Sequence, residues 1–184
     1  MDRLGPESDL IKRIQEGDEE AFTELVERYK EMGFSLAYHF LGNPEDARDV
    51  SQEAFAQVYL KIKDFRGESS FKTWFFTIIL NLCRKQRRRR ASPATLSDSN
   101  LEEELGLQAQ KDVEEEVERA ELGVAIEKAL KELSSKQREV FIMKHMEGMK
   151  ISEISGVLNC AEGTVKIHLF RAVRALQERL KEWR

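Results

Sequence analysis

Apolar residues recur every three or four positions in several separate stretches of the chain, a spacing that predicts amphipathic helices. A first short helix is expected over 8–17. A second is expected over 18–41, where Asp18 is placed to cap the first turn. Asn43 is an N-cap residue followed directly by a proline, and this pair predicts a third helix over 44–63.

The third predicted helix has two faces of different character. One face is a stripe of apolar side chains that is expected to lie in a core: Ala47, Val50, Ala54, Val58 and Ile62. The other side carries Asp49, Gln52, Glu53 and Ala56, spaced i, i+3, i+4 and i+7. A polar helix face of this kind is most often simply solvated.

The stretch 65–90 joins a dense apolar helix to a run of basic residues. Ser70 is placed to cap a helix over 71–90. The apolar residues of this helix are Phe71, Trp74, Phe75, Phe76, Ile78, Ile79 and Leu82, and its basic residues are Arg84, Lys85, Arg87, Arg88, Arg89 and Arg90. Two interpretations stay open. Aromatic rings that lead into arginines suit base stacking and phosphate binding, whereas a core helix with a solvated cationic end also suits the helix dipole.

An acidic segment divides the chain into two parts. Residues 92–112 are rich in Asp, Glu and small polar side chains, a composition typical of a flexible linker. One helical domain is expected over 1–91 and a second over 113–184. The sequence therefore predicts an all-α protein of two small helical domains joined by an acidic flexible linker.

The second domain contains a helix-turn-helix pattern. A short helix over 151–158 and a longer helix over 161–183 are separated by a tight turn. The outward-facing residues of the longer helix include Lys166, Ile167, Phe170, Arg171 and Arg174. A helix with such a face suits the major groove of DNA, with its cationic residues on phosphates. A plain helical hairpin with a solvated face is the alternative.

Composition and charge narrow the class of protein. Charged residues make up 35% of the 184 residues and hydrophobic ones 41%, which suits a soluble protein with a core. The longest apolar runs fall well short of the roughly 20 residues that span a bilayer, and the N-terminus lacks a signal-peptide pattern, so no membrane insertion is expected. The net charge of −4 hides a strongly basic stretch at 84–90.

Few residues suggest catalysis or metal binding. The histidines at 39, 145 and 168 lack the spacing of metal ligands. The two cysteines, Cys83 and Cys160, lie far apart, which favours free thiols in a reducing compartment such as the cytoplasm. They suit buried small hydrophobes better than redox sensors. We predict no enzyme activity, no cofactor, no metal and no small-molecule substrate.

A series of short motifs runs through both predicted domains. In the first they are Asp49-Val50-Ser51-Gln52-Glu53-Ala54-Phe55, Phe65-Arg66-Gly67, Phe71-Lys72-Thr73-Trp74 and Asn81. In the second they are Leu133-Ser134, Gln137-Arg138-Glu139-Val140, Glu153-Ile154 and Glu162-Gly163-Thr164-Val165-Lys166. Each motif alone is weak, but their order around an acidic linker is specific. The chain resembles the extracytoplasmic-function (ECF) sigma factors of bacterial RNA polymerase over nearly its whole length.

The resemblance implies an alternative sigma factor with a region-2-type and a region-4-type domain. It implies polymerase binding by Asp49, Gln52 and Glu53, and the carboxylates of Asp49 and Glu53 would pair with arginines of the largest subunit. For the −10 element it implies contacts from Arg66, Ser69, Ser70, Trp74, Asn81, Arg84, Lys85, Arg87 and Arg88. For the −35 element it implies contacts from Thr164, Lys166, Ile167, His168, Phe170, Arg171 and Arg174.

The resemblance also implies partners and leaves one alternative. Core RNA polymerase, promoter DNA and an anti-sigma factor are the expected partners, and the cytoplasm is the expected location. The sequence departs from the family at Ile167 and His168, where Ser-Arg is frequent, and at Ala161, where a capping residue is frequent. A helix-turn-helix repressor or activator that acts without being a polymerase subunit is the alternative.

Overall fold

The computed structural model of the chain describes residues 6–90 and 113–181, and the regular elements in these residues are helical. The first half contains α1 (Pro6–Gln15), α2 (Glu19–Leu41), α3 (Pro44–Lys61) and α4 (Phe71–Arg90). The second half contains α5 (Val113–Lys131), α6 (Ser135–Phe141), α7 (Ile151–Leu158) and α8 (Glu162–Arg179). The all-α prediction is confirmed, while the predicted linker over 92–112 lies outside the described residues. Among the described helices, none is both long enough and apolar enough to cross a membrane.

Side-chain caps begin the helices where the sequence predicts them. In each case a side-chain oxygen accepts a hydrogen bond from the backbone amide three residues later. The distances are 2.9 Å for Asp18 Oδ1, 2.9 Å for Asn43 Oδ1 and 3.2 Å for Ser70 Oγ. Ser134 and Gln137 form a capping box at the start of α6. Each cap satisfies an amide that helix geometry leaves without an intrahelical partner.

Three helix boundaries differ from the sequence-based expectation. Helix α1 begins two residues early, at Pro6, a residue suited to a first helical turn. Helix α3 ends at Lys61 and a 3-10 turn covers Ile62–Asp64. The Ile62 carbonyl, left without a helical partner, accepts hydrogen bonds from the Phe65 amide and from the Gln15 side chain. Helix α8 ends at Arg179, short of the predicted end at 183.

Helices α2, α3 and α4 pack closely together at Gly33 of α2. A Cβ atom at Gly33 would stand 3.0 Å from the Phe75 ring of α4 and 3.2 Å from Oγ of Ser51 on α3. Phe75 is fully buried there. The predicted core stripe of α3 is confirmed, since its members are all buried: Ala47, Val50, Ala54, Val58 and Ile62.

The second half forms the predicted helix-turn-helix. Helix α6 runs on into a π-helical turn at Ile142–Met146, and α7 and α8 follow. Between α7 and α8, Asn159 adopts φ +49°, a left-handed conformation that asparagine tolerates better than most residues. A small core joins α5 to α8 through Ala129, Leu130, Leu133, Ala172 and Leu176.

The two halves contact each other directly. One apolar core continues from the first half into buried residues of the second: Val140, Ile142, Met143, Met149, Ile154, Val157 and Val165. Helix α7 packs against α4, and the π-helical turn packs against α2. The second half is therefore held both by its own small core and by the core of the first half.

The close approach at Gly33 predicts a large effect of a small substitution. Gly33→Val places methyl groups against the Phe75 ring, and overpacking of this kind is expected to lower the free energy of unfolding by about 1–3 kcal/mol. Gly123→Ala on α5 is the control, because a Cβ at Gly123 meets no atom within 4 Å. Urea unfolding monitored by circular dichroism measures both. A Gly33→Val protein as stable as the wild type would contradict the packing described here.

Candidate polymerase and nucleic-acid interfaces

The polar face of α3 points to solvent. Asp49, Gln52 and Glu53 are exposed, and the opposite side of the helix is buried. Within the part of the chain that the structure describes, the Asp49 side chain has no ion-pair partner. An oxygen of Glu53 lies 3.5 Å from Nζ of Lys85 on α4, with both side chains about half exposed. A pair this exposed contributes little to stability, so these residues are available to a partner.

The segment 65–70 is anchored where it leaves the 3-10 turn. Nε2 of Gln15 donates hydrogen bonds of 2.9 Å to the carbonyl oxygens of both Ile62 and Phe65. The Phe65 ring lies 4.9 Å from the ring of Trp74, which is half-buried. Trp74 thus contributes to packing at the base of this segment and still presents part of its surface to solvent.

Beyond that anchor the segment is open to solvent. Arg66, Ser69 and Ser70 are all exposed. Asn81 is also exposed, but it lies ten residues after Phe71 on α4, which is about 15 Å along the helix axis. The structure therefore brings the two serines and Arg66 together and leaves Asn81 at a separate position on the same helix.

The basic residues at the end of α4 differ in how much each one contacts the rest of the protein. Nε and Nη2 of Arg84 donate hydrogen bonds of 2.9 and 2.6 Å to the carboxylate of Glu139 on α6, and these bonds raise the pKa of the Arg84 guanidinium. Lys85 and Arg87 are exposed. Arg88 is exposed as well, and its Nε donates to the Arg84 carbonyl at 3.3 Å. Of the four residues predicted to hold −10 DNA here, Arg84 alone is half-buried.

A carboxylate at the start of α3 holds the end of α4 in place. Asp46 is buried, accepts a hydrogen bond of 3.0 Å from Nε2 of Gln86 and forms an ion pair with Arg90. This contact aligns the basic end of α4 beside the N-terminus of α3. The polar face of α3 and the arginines of α4 consequently lie on neighbouring surfaces.

The outward face of α8 combines cationic and apolar side chains. Its exposed members are Thr164, Lys166, Ile167, Phe170, Arg171 and Arg174. Ile167 and Phe170 are 53% and 65% exposed, and apolar side chains rimmed by charged ones in this way are typical of an interaction surface. His168 is half-buried and its Nδ1 is shielded from solvent, so only part of that ring is available on this face.

The cysteines and histidines do not form a reactive centre in the described residues. Burial raises the pKa of the Cys83 thiol to about 12, which leaves little of the reactive thiolate at neutral pH. Cys160 is half-buried. Residues 6–90 and 113–181 contain no cluster of three His, Cys, Asp or Glu side chains that could hold a metal ion.

Sequence analysis missed two residues that shape these surfaces. Gln15 anchors the segment 65–70, but its partners lie 47 and 50 residues away, so no local pattern indicates the contact. Glu139 belongs to one of the sequence motifs, but the motif does not indicate that it binds Arg84, which lies 55 residues away. Its position directly before the apolar residues Val140 and Phe141 is the one local signal that points to it.

Comparison with known proteins agrees with this layout. Residues 25–92 match the family model for sigma-70 region 2, and residues 123–176 match the model for sigma-70 region 4. The ECF RNA polymerase sigma factor SigW of Bacillus subtilis is 32% identical over 179 residues, which cover 94% of this chain and 95% of SigW. The chain belongs to the ECF group of the sigma-70 family. It is a transcription initiation factor and not an enzyme.

Other relatives and solved structures support this membership. The RNA polymerase sigma-H factor of Pseudomonas aeruginosa is 33% identical over 181 residues, covering 94% of this ECF sigma factor and 92% of its relative. RpoE of Bartonella quintana, solved with the anti-sigma factor NepR, has a TM-score of 0.67 at 25% identity and covers 87% of this chain and 96% of its own. CnrH, solved with the cytosolic domain of CnrY, has a TM-score of 0.71 at 23% identity, covers 96% and 97%, and shows the shared fold.

The start of the recognition helix of this ECF sigma factor lacks a side-chain cap. Ala161 occupies the N-cap position with extended backbone angles and no cap hydrogen bond. Ala161→Ser is expected to stabilise the first turn of α8 by about 1 kcal/mol, which slows hydrogen exchange of its amides about fivefold. Gln177→Ser, on an exposed interior position of α8, is the matched control and is expected to give no protection. Equal hydrogen-exchange rates for these amides in the Ala161→Ser protein and the wild type would show that a side-chain cap does not stabilise the turn.

Proposed function

We propose that this ECF sigma factor binds core RNA polymerase through Asp49, Gln52 and Glu53. One observation carries the proposal: three exposed polar side chains share one face of α3 while the opposite face is buried in the core. A rigid helix held by its apolar side presents them in a defined geometry. Carboxylates so placed suit planar guanidinium groups of a partner.

The −10 element is proposed to bind the segment 65–70 and the exposed side of α4. The residues concerned are Arg66, Ser69, Ser70, Trp74, Asn81, Arg84, Lys85, Arg87 and Arg88. Hydroxyl groups and a half-exposed ring at one end suit an unpaired base, and the cationic side chains at the other end suit phosphates. The distance between Asn81 and the segment fits contacts with different nucleotides of one strand.

The −35 element is proposed to bind α8. The residues concerned are Thr164, Lys166, Ile167, His168, Phe170, Arg171 and Arg174. Lysine and arginines suit phosphates and guanine edges, whereas isoleucine cannot donate a hydrogen bond and packs instead against a thymine methyl group. We therefore expect the −35 sequence to be read with fewer hydrogen bonds than is frequent in the family.

Regulation by an anti-sigma factor in the cytoplasm completes the proposal. It is supported by the similarity to RpoE of Bartonella quintana, which was solved bound to the anti-sigma factor NepR. The proposed functional units are residues 1–91 for polymerase binding and −10 recognition and residues 113–184 for −35 recognition, with 92–112 as the linker. Transcription in vitro with core polymerase, followed by mapping of start sites, tests the proposal as a whole. Promoter binding that is equally strong without core polymerase and yields no transcripts would favour an ordinary helix-turn-helix regulator.

Reversing the charge of the α3 face should weaken polymerase binding. Asp49→Arg places a cation where the partner is expected to be cationic, and we expect binding to core polymerase to weaken by about 2–5 kcal/mol. The fold should persist, because Asp49 is exposed. Fluorescence titration with core polymerase measures the affinity, and circular dichroism checks the fold.

Glu31→Arg on α2 is the control for Asp49→Arg, since Glu31 is an exposed acid on another helix. It changes the net charge by the same amount and is expected to leave polymerase affinity close to that of the wild type. If both variants bind core polymerase as the wild type does, α3 is not the interface. If both weaken it equally, long-range charge is responsible and the specific face is wrong.

Replacing the apolar side chain of Ile167, which is proposed to face the major groove of DNA, should change the preferred −35 sequence. Ile167→Ser removes the proposed contact with a thymine methyl group. The binding free energy that separates the preferred base from the others at that position should change by about 1–3 kcal/mol. Selection of −35 sequences from a randomised promoter pool with wild type, Ile167→Ser and the exposed-residue control Gln177→Ala measures this. Identical selected bases for the wild type and Ile167→Ser would remove Ile167 from the DNA-reading surface.

A further inference from the structure

Helix α1 lies outside the part of the chain that matches region 2 and has no role in the proposed function. The matching residues begin at residue 25, whereas α1 covers Pro6–Gln15. The apolar side of α1 is buried through Leu10, Ile11 and Ile14. The helix packs against α2 and against the 3-10 turn that follows α3. Its last turn is therefore close to the start of the segment 65–70.

The C-terminal end of α1 is held in one conformation. Gly17 follows the helix with φ +98°, a left-handed value that favours glycine, and its amide donates a hydrogen bond of 3.0 Å to the Ile14 carbonyl. The Asp18 amide donates to the Arg13 carbonyl at 3.0 Å, and Nε of Arg13 donates to the Asp18 carboxylate at 2.8 Å. The side chain at the last position of α1 thus extends from a fixed backbone.

That last residue, Gln15, bonds to two backbone carbonyls of another part of the chain. Its Nε2 donates hydrogen bonds of 2.9 Å to the carbonyl oxygens of Ile62 and Phe65, and both bonds are partly buried. A primary amide carries two N–H groups on one nitrogen, so a single side chain can serve two acceptors. Gln15 therefore connects α1 to both ends of the turn that leads into the segment 65–70.

The bond to Phe65 sets the direction in which the chain enters the segment. Phe65 has extended angles of φ −70° and ψ 112°, so the chain leaves its helical path there and the carbonyl needs a partner from elsewhere. The peptide group between Phe65 and Arg66 is planar and trans, with its C=O and N–H pointing in opposite directions. Because Gln15 holds the C=O from the side of α1, the N–H of Arg66 points away from α1.

The far end of the segment is fixed as well. Oγ of Ser70 accepts a hydrogen bond of 3.2 Å from the Thr73 amide and lies 2.9 Å from Oγ1 of Thr73. Between the two anchors, residues 66–69 are exposed. Gly67 has φ +70°, a value that most other residues reach only with strain. A short exposed stretch between two fixed ends has fewer conformations to choose from than a free loop.

We propose that Gln15 is a positioning residue for promoter melting, because it fixes the conformation in which the segment 65–70 receives an unpaired base of the −10 element. The inference rests on the proposed function, since it concerns the same segment. Taking a base out of the stack costs free energy. A site that is ordered beforehand offsets more of this cost than a site that becomes ordered only on binding. Gln15 acts through the Phe65 carbonyl and needs no contact with DNA.

Two substitutions separate the hydrogen bonds of Gln15 from its size and position. Gln15→Met keeps an unbranched side chain of similar length and removes both donors, without adding a charge. Gln15→Lys supplies N–H donors again. Gln177→Met, at an exposed position of α8, is the matched control for the first change. Glu16→Gln, at an exposed position next to Gln15, changes the net charge by the same amount as Gln15→Lys and is the control for the second.

The anchor can be measured in the free protein through Trp74. The Phe65 ring lies 4.9 Å from the Trp74 ring and 6.2 Å from the ring of Phe71, which is fully buried. Releasing the Phe65 carbonyl should let its ring move away from Trp74. Trp183→Phe leaves Trp74 as the single tryptophan of the chain, so its fluorescence reports on this contact without polymerase or DNA.

Quenching of this fluorescence by acrylamide tests the structural part of the inference. In the Trp183→Phe background, quenching should rise by about twofold in Gln15→Met, because the local structure around the ring opens more often. It should return towards the original value in Gln15→Lys, and it should be unchanged in Gln177→Met and Glu16→Gln. Circular dichroism and urea unfolding check that each protein is folded.

Binding of single-stranded DNA tests the functional part. Each protein is combined with core polymerase, and the probe is the non-template −10 strand of a promoter whose start site has been mapped by transcription in vitro. Gln15→Met should weaken binding of this strand by about tenfold, because two partly buried hydrogen bonds that order the segment are lost. Gln15→Lys should recover most of the affinity. Affinity for core polymerase, and for duplex promoter before its strands separate, should change little.

Two results would overturn the role of Gln15. Equal quenching of Trp74 in Gln15→Met and its parent would show that the side chain does not hold the segment. Stronger quenching with unchanged affinity for the −10 strand would show that Gln15 serves the fold alone. A purely structural residue would lower the free energy of unfolding without changing the ratio of single-strand to duplex affinity.

Failure of the proposed function is a separate outcome, and Arg66→Ala identifies it. If Arg66→Ala weakens binding of the −10 strand and Gln15→Met does not, only the role of Gln15 is wrong. If neither variant weakens it, the segment 65–70 does not read the −10 element, and the proposed −10 surface and this inference both fail. The quenching of Trp74 would still report whether Gln15 anchors the segment.

Discussion

Helix α4 is apolar around more of its circumference than one layer of helices can cover, and the rest of the structure follows from that constraint. Its buried residues occupy more than half of the helical wheel: Phe71, Thr73, Phe75, Phe76, Ile78, Ile79, Leu80, Leu82 and Cys83. Helices α2 and α3 cover one side, with Phe75 seated on Gly33. Helix α7 from the second half covers another side. Covering α4 therefore brings the helix-turn-helix onto the first half.

Three basic residues near the end of the same helix each contact a different acidic residue. Lys85 lies beside Glu53 of α3, Arg84 is bound by Glu139 of the second half, and Arg90 pairs with Asp46 at the start of α3. Of these three contacts, only the one to Glu139 joins the two halves, so it alone is expected to depend on how the halves are placed. The basic end of α4 thereby contacts α3 at two places and the second half at one.

Helix α8 is buried on one side only. One side of α8 is buried through Val165, Ala172 and Leu176, and these residues belong to two separate cores. Its outward side keeps Ile167 and Phe170 exposed next to basic residues. Since the cost of exposing apolar groups to water is not offset within the protein, a partner surface that covers them gains that free energy on binding.

Local signals in the sequence determined the helices and which side of each is buried. The Asn43-Pro44 pair, the Ser134–Gln137 capping box and the apolar stripe of α3 act over a few residues, so their consequences are readable without a structure. The motifs also led to the family. Of the two interpretations of α4, a core helix with an exposed basic end is what the structure shows, and nucleic-acid binding by that end stays a proposal.

Only the tertiary structure decided what the basic end of α4 and the segment after α3 contact. Arg84 meets Glu139 across 55 residues, and Gln15 reaches the Phe65 carbonyl across 50. Neither pair has a spacing that a helix period could reveal, because both depend on how α4 is covered and on how closely Gly33 and Gly156 let their neighbours approach. Charge and hydrogen-bond partners at such distances follow from packing, and packing is a property of the whole chain.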